Sequence, residues 1–371
     1  MRYLKILISF GLSIFFLYLT FYVPHLGDLF RGEMAAGQAL FGYPRFDLSQ
    51  LGAAITSAHW QPIILTAILF VLSLLIRAWR WQIMLESITR MSFGNVFGAM
   101  CIGYMANNVL PFRMGEVYRA QVVYQISGTS RSAAFGSIVL ERVTDLLFML
   151  PYMALGFLLT PLPGAMRRSG IIISIAALVA ALFIIWVAVD QIRAMAMVKR
   201  VLRVLPQKIA QALIGFIEQF TSGLGSLRTS KHLFAIITTS LAMWALYAAM
   251  VYTVMLSLGL VNNGIELIDR NPVGTVLVIL IITTVGFVIP GAPGAVGTYH
   301  GVAVLGLSLF NVPGDQAAGF AILLHAMNYI PLTALGLFYF LRLGLTFHET
   351  NESVNRPIAQ EPVASINNSE T

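Results

Sequence analysis

The chain has 371 residues, 58% of them hydrophobic and only 11% charged, against roughly a quarter charged in soluble domains. With a mean hydropathy of +0.80 it is not a soluble globular protein and reads as an all-α, polytopic membrane protein. The net charge of +7 lies beside apolar spans and forms no basic domain, which excludes nucleic acid as a partner and fits cations retained on the cytoplasmic side. A single cysteine, Cys101, excludes an internal disulfide and a cysteine-rich zinc site.

Arg2 and Lys5 precede an apolar run ending at Val23. No small-x-small cleavage pattern follows at Val23, Pro24 and His25, so the run is expected to be a retained first span. Residues 24–58 are mixed and suit an outside loop. Trp60 to Ile76 is a second span, and the Arg77, Trp79, Arg80 and Trp81 that close it read as an interfacial belt. Ser92 to Leu110 is apolar but contains Gly94, Gly98, Gly103, Asn107 and Asn108 and stops at Pro111. A broken or re-entrant element is therefore expected over residues 92–125.

Ser132 to Thr160 and Ile171 to Val189 are helix candidates. Between them and the next span, residues 190–231 form a basic amphipathic stretch suited to the cytoplasmic membrane surface. Leu233 to Leu258 is a further span. Val273 to Ile289 and Thr298 to Phe310 are separated by PGAPGAVG, a second break near residues 285–300, and Gln316 to Leu341 is the last span.

This gives about eight spans in a domain of residues 1–345, then a polar tail over 346–371 that is expected to be disordered. Both termini fall inside: sixteen cations lie in or beside cytoplasmic segments and five outside, the bias that sets orientation. Arg167 and Arg168 run against it.

Ionisable groups at membrane depth are costly and need a partner or a task. Residues 107–145 concentrate them: Arg113, Glu116, Arg119, Glu141, Arg142 and Asp145, with Asn107 at the edge. Glu141 and Asp145 are four apart on one helical face and repel each other, and Arg142 relieves only part of that. Arg113 or Arg119 is expected to supply the further cation. Two readings stand: a neutral network locking helices together, or a site whose guanidinium groups also receive an anionic head group.

Pro111 and Gly115 interrupt the first half, and Pro290, Gly291, Pro293, Gly294 and Gly297 the second. Paired broken helices point to a transporter's midplane site, although Gly297 and Gly301 also have the spacing of a packing face. His300 and His325 are expected to be structural more than proton-carrying, with His325, Asn328 and Tyr329 a polar spot that could face the same cavity.

The motif N-x-x-L-P-x-R-x-G-E-x-x-R is matched by Asn107, Leu110, Pro111, Arg113, Gly115, Glu116 and Arg119, and E-R-x-x-D by Glu141, Arg142 and Asp145. A third, P-x-x-P-G-x-x-G-x-x-E, is matched by Pro290, Pro293, Gly294 and Gly297, with His300 in place of its acid. In these residues the chain resembles the flippase-like membrane family that includes the transmembrane region of lysylphosphatidylglycerol synthase. That resemblance implies an inner-membrane protein moving a charged or phosphate-bearing lipid between leaflets, with phospholipid or a lipid-linked substrate as its partner. It implies neither a cofactor nor lysyl transfer.

The leading expectation is a flippase in which Arg113 and Arg119 hold the head group. One alternative is a membrane-embedded transferase acting on a phospholipid or polyprenyl-phosphate, with Glu141 or Asp145 as general base. The other is a non-transporting membrane assembly component. No G-x-x-x-x-G-K-[ST] loop is present, so direct ATP drive is not expected, and no metal-ligand motif is visible.

Overall fold

A computed structural model describes residues 48–110, 114–160, 230–289 and 291–344, with scattered positions between 11 and 44 and between 168 and 214. Within these, α1 is Leu48–Thr56, α2 Trp60–Leu85, α3 Phe93–Val109, α4 Gly115–Ser127, α5 Arg131–Leu159 and α6 Ser230–Ser257. Then come α7 Glu266–Arg270, α8 Pro272–Val288, a single 3-10 turn Pro293–Ala295, α9 Thr298–Ser308 and α10 Gly314–Arg342.

Four helices among the described residues are long and apolar enough to cross a membrane: α2, α5, α6 from Lys231, and α10. Each has 26 residues or more, about 39 Å at 1.5 Å per residue, which exceeds a hydrocarbon core of about 30 Å. The chain is thus a multi-pass, all-α membrane protein. The expected spans Met1–Val23 and Ile171–Val189 and the surface stretch 190–231 fall largely outside the described residues, as does the tail. Ile64, Ile68, Val71, Leu72 and Leu75 of α2 are exposed, an apolar face fit for lipid.

Local signals set the helix ends. Gly128, at φ 70°, closes α4 in the left-handed conformation, and the Ser130 side chain then accepts from the Ala133 N–H to start α5, a pairing of C-terminal glycine and N-cap serine. α8 starts with Pro272 in its first turn, where the Asn271 side chain accepts from the Gly274 N–H.

The break expected over residues 92–125 falls between Val109, where α3 ends, and Gly115, where α4 starts, and α3 itself is continuous. Its glycines serve packing. A Cβ at Gly103 would lie 3.0 Å from the Gly115 carbonyl oxygen, and one at Gly98 2.6 Å from the Tyr339 ring. Bare backbone there lets α4 and α10 grip α3 from two sides.

Two apolar cores result. One, with Trp81, Met84, Met100, Ile102 and Ile138, gathers around α3; the other, with Trp244, Val254, Ile279, Phe310 and Phe320, lies among α6, α8, α9 and α10. α5 contributes Ile138 and Leu140 to the first and Met153 to the second, so Glu141 to Asp145 fall at the junction.

Candidate head-group site

The Arg77, Trp79, Arg80, Trp81 run does not form the expected interfacial belt. Trp79 is exposed, but Arg80 and Trp81 are fully buried, because three- and four-residue spacing turns Arg77, Arg80 and Trp81 toward α5 and α6. Arg77 Nε donates to Glu141 Oε1 at 2.9 Å and Nη1 to the Tyr247 hydroxyl at 3.1 Å, while Nη2 binds Asp145. Arg80 donates to Ser240 at 2.9 Å and to the other oxygen of Asp145. Two cations from α2 therefore offset the Glu141–Asp145 repulsion, beyond the single supplier expected.

Arg119 supplies a third. Its Nη2 lies 2.7 Å from Glu141 Oε2, an ion pair by distance whose angle falls short of a hydrogen bond. Its guanidinium lies over Trp81, whose indole N–H donates to Ser137 at 3.1 Å. Glu141 is fully buried and Arg119 only 2% exposed; a charge at such depth is tolerated only when paired.

Arg142 differs. Its nearest carboxylate oxygens, on Glu116 and Asp145, are 3.7 and 3.6 Å away, and its side chain is 38% exposed. It lines a cleft of about 170 Å³ with Tyr104, Asn107, Glu116 and Arg119, among others. Nε of Arg119 and Nε of Arg142 have no hydrogen-bond partner among the described residues. Among the described residues, four guanidinium groups (Arg77, Arg80, Arg119, Arg142) stand against three carboxylates (Glu116, Glu141, Asp145), one positive charge in excess.

Asn107 ties the cleft to its scaffold. Its Oδ1 accepts from the Gly115 N–H at 2.7 Å and its Nδ2 donates to Glu116 at 3.4 Å, which satisfies an otherwise unpaired amide at the start of α4. Glu116 sits in that first turn, where the helix dipole favours an acid. Neither Glu141 nor Asp145, the bases considered for a transferase, lines the cleft; the acid that does is Glu116.

The second interruption lies next to this site. A cleft of about 390 Å³ is lined by Asn107, Asn108, Leu110, Phe287, Ile289 and Gly291 to Ala295, so Asn107 borders both hollows. Gly294 adopts φ 66° and Gly297 φ 87°, conformations that side chains disfavour. Ala295 also has positive φ, at 57°.

His325 Nε2 donates to the Gly294 carbonyl at 2.9 Å, and the Gly297 N–H points to His300 Nδ1 at 3.4 Å. The two rings are 4.7 Å apart and His325 also stacks on Tyr299. Both histidines thus brace the break. Asn328 donates to its own helix at the Leu324 carbonyl and does not line either cleft, contrary to the expected cavity role. The neighbouring Asn108 takes that place, donating to Thr333 at 2.9 Å.

The expected site residues Asn107, Gly115, Glu116, Arg119, Glu141, Arg142 and Asp145 are brought together, and Pro293, Gly294, Gly297 and His300 form the second break beside them. Pro111, Arg113 and Pro290 lie outside the described residues. Arg77, Arg80 and Tyr104 were not anticipated. Among the described residues no group of three or more His, Cys, Asp or Glu side chains is placed to hold a metal ion.

The family model of the lysylphosphatidylglycerol synthase TM region matches residues 6–336. The chain is also 27% identical over 313 residues to the glycosyltransferase AglD of Haloferax volcanii, an alignment covering 76% of this chain and 49% of that protein. The chain thus spans about half the length of this curated relative.

Proposed function

Because the chain belongs to the family of the lysylphosphatidylglycerol synthase TM region, we propose that it moves a phosphate-bearing lipid between leaflets, binding the head group at Arg142 and Arg119. The carrying observation is the surplus guanidinium charge among the described residues at the cleft, with the Nε donors of Arg119 and Arg142 lacking a hydrogen-bond partner. A guanidinium fork matches phosphate oxygens, and an anion there neutralises the excess charge. Arg77 and Arg80 hold the carboxylates in place. Arg142, the most exposed and most weakly paired of the four, makes first contact with the lipid.

The cleft is small in this form, about 170 Å³ with its open mouth included, so a head group enters it only as its walls part. The cation distribution favours the cytoplasmic (inner) membrane with both termini inside. Arg113, from the same motif, is a second candidate contact.

Reconstitution in liposomes with fluorescent phospholipids and an impermeant quencher tests the reading. Arg142→Gln slows leaflet exchange of anionic lipid by at least about tenfold, the loss of one charge-assisted contact. Equal exchange by wild type and Arg142→Gln overturns it.

The relative's name, glycosyltransferase, favours a second reading, in which the same cleft positions a lipid phosphate for group transfer with Glu116 as base. Lipid mass spectrometry of a deletion strain separates the two. A missing lipid species supports transfer, whereas an unchanged inventory with altered leaflet exposure supports movement.

A further inference from the structure

Resting on the head-group reading, we infer that the cleft between the end of α3 and the Pro293–Ala295 turn receives the part of the head group beyond the phosphate, and that this part is uncharged and hydroxyl-bearing. Asn107 lines this cleft and the charged one alike. A substituent on a phosphate held at Arg142 therefore has this hollow as its neighbour. It is also the roomier of the two hollows.

Its chemistry sets the substituent. The described lining residues contain no ionised side chain: the polar groups are the amides of Asn107 and Asn108 and the backbone of Gly291 to Ala295. Amide and carbonyl groups satisfy hydroxyls, which both donate and accept. An ammonium group taken out of water there would meet no carboxylate among the described lining residues; Glu116, which lines the neighbouring cleft, is already within reach of Arg142 and Asn107.

The walls are braced as well. His325 holds Gly294, and Asn108 holds Thr333 and the Tyr329 carbonyl, so the hollow is shaped before a ligand enters, as a selective site requires.

The test compares acyl-labelled phosphatidylglycerol, phosphatidylethanolamine and phosphatidic acid in proteoliposomes of the full chain. Wild type is expected to move phosphatidylglycerol about tenfold faster than phosphatidylethanolamine, and faster than phosphatidic acid, whose phosphate has no substituent. Ala292→Phe, which fills the cleft, brings the phosphatidylglycerol to phosphatidic acid ratio to near one. Ala292→Asp, which places an acid there, raises phosphatidylethanolamine relative to phosphatidylglycerol.

Wild-type rates equal for the ethanolamine and glycerol lipids, or a phosphatidylethanolamine to phosphatidylglycerol ratio unmoved by Ala292→Asp, overturn the inference and leave the phosphate reading standing. If Ala292→Phe moves no lipid, the Ala292→Asp ratio decides. Movement of none of the three by wild type overturns the transport reading, and the inference with it.

Discussion

The guanidinium carbon of Arg119 stands 3.4 Å from the centroid of the Trp81 ring, close enough to be a stack between α4 and α2. The same side chain reaches Glu141 on α5, so one residue joins three helices. Arg119→Met removes both contacts and leaves a buried carboxylate with less compensation. The expected loss is about 3 kcal/mol of stability, read as a lowered unfolding midpoint in detergent. Arg119→Lys recovers little, since an ammonium neither stacks nor forks. The double variant Arg119→Met, Glu141→Gln recovers more than half. Equal midpoints for wild type and Arg119→Met would mean that the joint is not structural.

Asn107→Ala removes the acceptor for the Gly115 N–H. Loss of such a helix-start contact costs about 1 kcal/mol, and hydrogen exchange in the first turn of α4 should accelerate while the ends of α5 stay unchanged. Asn107→Asp keeps an acceptor but sets a second carboxylate against Glu116, the present partner of Nδ2; it should be less stable than wild type at neutral pH. Unchanged exchange in both variants would remove Asn107 from the scaffold.

Gly294→Ala meets two separate penalties. Its φ of 66° costs an L-residue about 1–2 kcal/mol, and an added Cβ would collide with the Tyr329 ring. Tyr329→Ala relieves the second penalty only. The double variant should therefore unfold at a higher midpoint than additivity of the two singles gives, a coupling expected between residues in contact. Strict additivity would contradict the packing described.

The membrane helices were legible because length and continuous apolarity fix them, and so were the two Pro/Gly interruptions, since only such residues tolerate the backbone at Gly294 and Gly297. The approach of Arg119 to Glu141 followed from the need of two same-face acids for a cation. Arg77 and Arg80 were misread because a cation beside tryptophan at a span end has the pattern of an interfacial anchor. A signal was present: Thr66, Ser73, Arg77 and Arg80 make one polar stripe on α2 at helical spacing, and all four face inward, with Thr66 bonded to Thr253 and Arg80 to Ser240 across α6. The meeting of the two breaks around Asn107 and Asn108 depends on how α3, α9 and α10 pack, which no local pattern encodes.

The most direct measurement is native mass spectrometry of lipid retained by the purified protein, comparing wild type with Arg142→Gln. If the surplus positive charge at the cleft holds a phosphate head group, wild type retains an anionic phospholipid in preference to phosphatidylcholine, and Arg142→Gln loses that preference while remaining folded. The same lipid retained to the same extent by both proteins would contradict it.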